Sequence, residues 1–580
     1  MYSSSVQAPV ACAAVLAFFF VVPAEGGSLR GGSAFNINDV ESSLLNELAG
    51  NFRSIDTKQR LSMLQTDLQP MYKAMPKQSD GTLSHTVVRY MLHRFFAQRH
   101  GWFIRGLEPD GDARNSSSAT ALQEWVPSYL QNFLEELIGG RGLGLKELAI
   151  LAATIEDLIH KEASTRLEKA YKALQLSLDA KIPQAQVQEI LNVYMMVYLS
   201  GGNFESNDAE RTRLALNYFS ENQTKSWGEM QEWLKDLQAS VRPAQSGNLL
   251  LDFDQILQLV YETAERYGIL NDRECGRLKS ELLSIEAPKA GRVRLPEFYK
   301  KGLAGVFEFN EKVDYLRAIG ALDESDPKQA HVIVPNYVAS RPNCLLASDF
   351  YVVCCRNECE DLMASLERRV GGPTAQRAEV AKAILELQSD TAIAPVTLTD
   401  TLLQRLDEIA KINGNSIPLH GRLFAQWMHH VYPQECPYPH ISGTTTPQTP
   451  DEWMRETGQQ DVKASTEEML EQVNSDTCAI APGTMQPSPD CERLQNNKDL
   501  PWNEVEELLQ PTSSISMSAT VNKAGTRSRN SSSGIGVLWA GLRAIVIFVM
   551  LGTLASGVIW ISSPKSTTCK SSCMKSCEFC

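Results

Sequence analysis

The densest run of reactive side chains lies at residues 420–440, which hold His420, Trp427, His429, His430, Cys436 and His440. Imidazoles and a thiol this close invite two chemistries: metal ligation, and a thiol nucleophile activated by a neighbouring imidazole. Metal ligands must converge on one point at about 2 Å. His429 and His430 are adjacent, so on a helix they point roughly 100° apart and do not easily share an ion. Residues 436–440 (CPYPH) form a proline-stiffened turn that brings Cys436 towards His440, but no third group stands ready to orient the imidazole. Packing, capping and a disulfide through Cys436 compete with both chemistries.

Residues 354–359 (CCRNEC) place three more thiols together, in an apparent helix beginning near Phe350. There Cys355 and Cys359 share one face, a turn apart. In an oxidising compartment they would pair with Cys344, Cys275 or Cys436; in a reducing one a redox or metal role gains weight. The spacing is not the Cys-x-x-Cys of a thiol oxidoreductase. Residues 139–144 (GGRGLG) follow a helical pattern and lack the Gly-Lys-Ser/Thr ending of a phosphate loop, so they read as a helix C-cap and turn. His-Glu-x-x-His, Gly-x-Ser-x-Gly and kinase signatures are absent. No metal and no cofactor is expected. Near the end of the chain Cys569, Cys573, Cys577 and Cys580 would share one helical face beside Lys565, Lys570 and Lys575. At a cytoplasmic membrane surface such thiols are candidates for S-acylation.

Apolar segments near the two ends set where this chemistry would sit. Residues 10–22 (VACAAVLAFFFVV) have the length of a signal-peptide core, with Ala24 as a cleavage point, although no Lys or Arg precedes them. Residues 537–561 are long enough to span a bilayer. Trp539 and Trp560 bracket that segment at a helical separation of about 31 Å, where an interfacial aromatic belt would lie. Arg543 can snorkel outward. Basic residues flank the segment almost equally, so the signal-like start decides the orientation. It gives a single-pass type I protein of the secretory pathway or cell surface. The alternative is C-terminal anchoring with the body in the cytosol.

The net charge of −14 over 580 residues argues against a nucleic-acid partner. Eight cysteines lie between the two apolar segments: Cys275, Cys344, Cys354, Cys355, Cys359, Cys436, Cys478 and Cys491. An even number suits disulfides, whose connectivity the sequence leaves open. Asn115, Asn222 and Asn530 are candidate N-glycosylation sites.

The body reads as helical. Residues 145–160, 165–178, 186–199, 253–267 and 380–387 carry apolar side chains at three- and four-residue spacing. Residues 331–334 (HVIV) give the best strand signal. A helix–turn–aliphatic–helix pattern recurs at residues 68–96 (Gly81, Leu83), 167–198 (Ala180, Ile182), 278–299 (Gly291, Val293) and 402–431 (Asn415, Ile417). This layout weakly resembles an EF-hand, in which Gly takes the left-handed turn at the sixth loop position and an aliphatic follows two places later. The calcium chemistry is missing. In the loop 286–297 only Glu286 and Glu297 are acidic among the ligand positions, and Pro288 and Ala290 occupy two of the rest. In the first copy Pro76, Gln78 and Asp80 would be ligands, and Val87 stands where the closing Glu belongs. Calcium needs six to eight oxygens.

Residues 92–109, 350–363 and 419–440 resemble a family of uncharacterised membrane proteins from dinoflagellate-type protists. The resemblance covers most of the body. It implies no activity.

The expected fold class is therefore all-α: paired helix–loop–helix units, a disordered stalk and one transmembrane helix. The expected segments are a signal peptide (1–25), helical units (26–110, 119–240 and 248–440), the stalk (441–536), the membrane helix (537–561) and a Cys-rich tail (562–580). Short helical stretches near 466–473 and 502–509 punctuate the stalk. The expected function is protein binding or scaffolding by the ectodomain, with an unidentified protein partner and the membrane as contacts. The alternatives are a membrane-tethered enzyme or metal/thiol protein using residues 420–440, and a degenerate EF-hand-like regulatory module.

Overall fold

A computed structural model describes residues 54–105, 107, 142–200, 204–222, 224–241, 250–305, 309–325, 329–345, 351–387, 397–475 and 502–509. The expected signal peptide, the sequons at Asn115 and Asn530, Cys478, Cys491, residues 537–561 and the four tail cysteines lie outside these residues.

The chain begins with α1 (Ser54–Ala74), α2 (His85–His100), β1 (Trp102–Ile104) and α3 (Leu145–Ala173). Next come β2 (Ile182–Pro183), α4 (Gln184–Leu199), α5 (Ala209–Asn222), α6 (Thr224–Val241), β3 (Leu250–Leu251) and α7 (Phe253–Leu283). The middle holds β4 (Arg292–Arg294), α8 (Leu295–Leu303), α9 (Val313–Ala318), β5 (Leu322–Asp323), β6 (His331–Ile333), α10 (Val334–Val338) and β7 (Tyr351–Val353). Then follow α11 (Cys359–Val370), β8 (Thr374–Ala375), α12 (Arg377–Glu386), α13 (Asp400–Ile412), β9 (Ile417–Pro418), α14 (Arg422–Val431), α15 (Pro450–Thr457) and α16 (Thr466–Asn474).

The all-α expectation is corrected: the fold is mostly helical, with sixteen α-helices among the described residues, but it also has short strands. They join the connections between helices two by two. Leu83 pairs with Leu143, Ile182 with Leu251, Val293 with Val332, and Ile417 with Ala375. A further bridge, Glu311 to Lys463, ties the α8–α9 connection to the α15–α16 connection. One to three residues suffice for each pairing because it only has to satisfy the N–H and C=O groups of a turn.

Three apolar cores follow. The first gathers α1–α4, α6, the front of α7, β1 and β7, with Trp102, Tyr171 and Tyr194 fully buried. The second lies around Phe298, Tyr315 and Tyr337. The third packs α11–α14 around Leu406, Phe424 and Trp427. Helix α7, about 46 Å long at 1.5 Å per residue, contributes Ile256 and Leu259 to the first core and Leu278 and Leu282 to the second.

The stalk expectation fails over residues 441–475 and 502–509, which are folded against the body. Trp453 and Met469 are buried in the second core. Capping boxes start both helices, Thr449 with Glu452 and Ser465 with Glu468. A composition dominated by Thr, Pro and Gln concealed these local start signals. Residues 502–509 form no helix and no regular strand, and Leu508 bridges Gly421. The expected transmembrane helix has no counterpart among the described residues, where no helix is long and apolar enough to cross a membrane.

Candidate functional site

Helix α14 (RLFAQWMHHV) centres the region singled out by its chemistry. Leu423, Phe424, Trp427, Met428 and Val431 face the third core, and the Trp427 indole N–H donates to the Leu402 carbonyl at 2.8 Å. This packing fixes where each neighbouring imidazole points, and the four histidines go to four different places.

His420, just before the helix, is buried with Nδ1 3.3 Å from the Tyr90 hydroxyl and Nε2 3.3 Å from Glu367 Oε1. Burial, reinforced by the nearby Arg94 charge, pushes its pKa well below the ordinary imidazole value. His429 is also buried. Its Nδ1 donates to the Cys436 carbonyl at 2.6 Å, because that carbonyl can only accept. Its Nε2 accepts from Arg292 Nη1 at 3.3 Å. These partners select the neutral tautomer, and burial and the Arg292 charge push the pKa down to about 3. His430 lies edge-on to His429 and tilts against Trp502. The Nε2 of His440 donates to the Gly320 carbonyl at 2.8 Å.

Cys436 forms a disulfide with Cys359, and Cys275–Cys355 and Cys344–Cys354 form two more. The Cys436–His440 nucleophile pair is therefore not present. The CCRNEC helix is corrected as well. Residues 351–353 are strand β7, paired with β1, and the helix starts only at Cys359. An aromatic and two β-branched residues favour that strand over a helical turn. Among the described residues no three His, Cys, Asp or Glu side chains group as a metal site would require.

The loops have an internal chemistry of their own. Gly291 is left-handed (φ +72°), and its N–H donates to Glu286 Oε1, while the Gln434 amide donates to both oxygens of the same carboxylate. The first position of a would-be calcium loop is thus occupied by protein donors. Glu297 is bound by Arg294 and Lys300. In the loop 75–84 Asp80 accepts from the Thr82 N–H and hydroxyl, and the Lys77 ammonium donates to the Tyr72 carbonyl at 2.6 Å. Residues 142–144 complete a pairing with Leu83 and lead into α3, where Gly144 is the N-cap.

The residues missed by sequence reasoning are Arg422 and Glu506. Arg422 opens α14, where the helix dipole disfavours a cation. Its guanidinium donates to the carbonyls of Val505 (2.6 Å), Asn503 (2.9 Å) and Pro439 (3.1 Å) and to Gln426 Oε1 (3.1 Å). Gly421 has no side chain with which to cap the helix. Glu506 supplies the cap from outside, its carboxylate accepting the Leu423 N–H at 3.1 Å and the Asn413 amide at 2.9 Å. The available signal was an Arg at an uncapped helix start together with an acidic, Trp-led stretch in an otherwise polar region.

No protein-family model matches the chain, and neither does any curated protein or solved structure.

Proposed function

We propose that this chain is a protein-binding scaffold of the secretory pathway. Its helical body works in an oxidising compartment, and its C-terminal apolar segment brings it to a membrane. The observation that carries the reading is the segment 502–509 held at the start of α14, because a surface that holds one peptide segment through main-chain contacts is suited to holding others. Three buried or half-buried disulfides support the compartment. An enzymatic reading of residues 420–440 has lost the thiol it needs.

Three measurements on the full-length chain in a eukaryotic cell test this. Glycosidase treatment is expected to raise gel mobility, and alkylation without reduction is expected to leave Cys275, Cys344, Cys354, Cys355, Cys359 and Cys436 unmodified. Free Cys436 thiol would overturn the compartment and reopen thiol chemistry. Lysine-reactive crosslinking in intact cells is expected to give discrete adducts with other proteins; a chain that stays monomeric under every reagent would overturn the binding role.

A second reading, a regulatory module built like a degenerate EF-hand, is supported by the two-by-two pairing of the loops. It acts through protein contacts, since Glu286 is occupied by protein donors. Millimolar calcium is expected to leave the melting temperature within about 1 °C; ligand binding at 100-fold saturation would add about 2.7 kcal/mol and a visible rise.

A further inference from the structure

Residues 502–509 (WNEVEELL) are held by two kinds of contact. The first kind reads the main chain. The Arg422 N–H donates to the Glu507 carbonyl at 2.9 Å, its guanidinium donates to the carbonyls of Asn503 and Val505, and Leu508 bridges Gly421 in antiparallel fashion. The second kind reads side chains. Trp502 packs against the third core, with the Arg405 guanidinium 4.9 Å from its ring centre and the His430 ring tilted against it at 6.0 Å. Glu506 caps α14, and Glu507 accepts from the N–H (3.1 Å) and hydroxyl (3.0 Å) of Ser442. Val505 and Leu508 remain largely exposed. One antiparallel bridge and an arginine side chain hold the main chain whatever its sequence, and a few side-chain contacts read identity, the same division of labour that peptide-recognition sites use.

The covalent connection does not enforce this docking. Residues 476–501 separate the segment from α16, a length whose extended reach is roughly 90 Å at about 3.4 Å per residue. The segment therefore sits on α14 through its own contacts. Gly421 is the residue that lets it approach: a Cβ there would meet Glu506 Oε1 at 3.1 Å and a Leu508 methyl at 3.2 Å.

We infer that the surface formed by α13, the Gly421 turn and the start of α14 is a peptide-binding site occupied in cis by residues 502–509. Its ligand in trans is an extended acidic segment of a partner protein, with an aromatic residue four and five places ahead of two carboxylates. The inference rests on the protein-binding reading above and names the partner's chemistry. The cis segment competes at the millimolar effective concentration typical of a tether, so the closed chain binds the partner weakly and release of the segment opens the site.

The test uses the full-length chain, unaltered and carrying Trp502→Ala with Glu506→Gln, and a fluorescent synthetic peptide of residues 500–511 followed by anisotropy. The opened chain is expected to bind at least tenfold more tightly than the unaltered one. A peptide with Glu506→Ala is expected to bind the opened chain about tenfold more weakly, since a charge-assisted bond at the helix start is lost. The inference is overturned if the opened chain, with unchanged circular dichroism, ignores the peptide or binds both peptides equally. It is also overturned if the unaltered chain is a dimer that Glu506→Gln dissociates, because the occupant is then a second copy. Should the double variant not fold, the unaltered chain cut at a protease site introduced within 476–501 replaces it. Excess peptide must then separate the two fragments, and co-elution at saturating peptide overturns the inference. Either failure leaves the crosslinking result standing, so loss of this site is distinguishable from loss of the binding role.

Discussion

His429 lies between a carbonyl that can only accept and a guanidinium that can only donate, so its ring is fixed in one neutral form. Burial likewise pushes His93 down to about 3. In the unfolded chain both rings titrate near the ordinary value of about 6.5. The unfolded state then binds more protons between pH 6.5 and 3, and stability rises with pH across that window. The contribution of these rings is full above pH 6.5 and is lost as pH falls towards 3. The urea midpoint is expected to be lower at pH 5 than at pH 7, and His429→Gln should flatten that dependence; an unchanged slope would contradict the assignment. Below pH 4.5 Glu156 adds to the loss. Burial alone would raise its carboxyl, but His100 and Arg60 prevail and hold it at about 2. A second residue-scale prediction concerns Arg94, whose buried guanidinium binds Glu360 and Glu367. Arg94→Met leaves the buried Glu367 carboxylate and the half-buried Glu360 uncompensated and is expected to cost about 3–5 kcal/mol in denaturant unfolding. Adding Glu367→Leu should recover much of it.

The elements show where local signals sufficed. Gly81, Gly291 and Asn415 adopt positive φ at their loops, and the aliphatic two places on enters a strand pairing. Those positions are legible because one residue must accept a left-handed conformation and the next apolar one must be buried. Ala180 misled: the left-handed residue there is Gln175 (φ +57°), and the Leu176 N–H bonds back to Tyr171 in a Schellman closure of α3. Of the partner residues, Val332 lies in the stretch that read best as a strand and is one, in β6, whereas Leu143, Leu251 and Ala375 carried no comparable signal. Gly268, in the middle of α7, gives the element-scale prediction. On propensity alone Gly→Ala stabilises a helix by about 1 kcal/mol. Here the new Cβ would lie 1.9 Å from the His100 carbonyl oxygen, where α2 ends against α7. The sign reverses, and Gly268→Ala is expected to destabilise by about 1–3 kcal/mol in chemical denaturation; a stabilised variant would show that the two helices separate at little cost.

At the scale of the whole molecule, two of the three disulfides lie each inside one core, Cys275–Cys355 in the second and Cys359–Cys436 in the third. Cys275 on α7 joins Cys355 across 80 residues, and Cys359 at the start of α11 joins Cys436 across 77, while Cys344–Cys354 closes only 10. Restriction of the unfolded chain scales with the loop closed, about 4.5 kcal/mol for the long ones and about 3 for the short one in the entropy treatment. Replacing Cys359 and Cys436 by Ser is therefore expected to lower the melting temperature more than replacing Cys344 and Cys354. Equal losses would point to strain or residual structure in place of loop length.

The sequence by itself determined what is local: most of the helices, the turns that need Gly or Asn, and the absence of a recognised catalytic motif. It also marked residues 420–440 as unusual. The tertiary structure alone decided which thiol meets which, which carbonyl or carboxylate each histidine faces, and that an acidic stretch some eighty residues downstream caps α14. The physical reason is range. Periodicity and turn chemistry report what each residue needs from its immediate neighbours, burial or a particular φ, and those needs are met within a few positions. A buried imidazole or a helix start with no capping side chain also needs a partner, and any polar group the folded chain brings near can supply it.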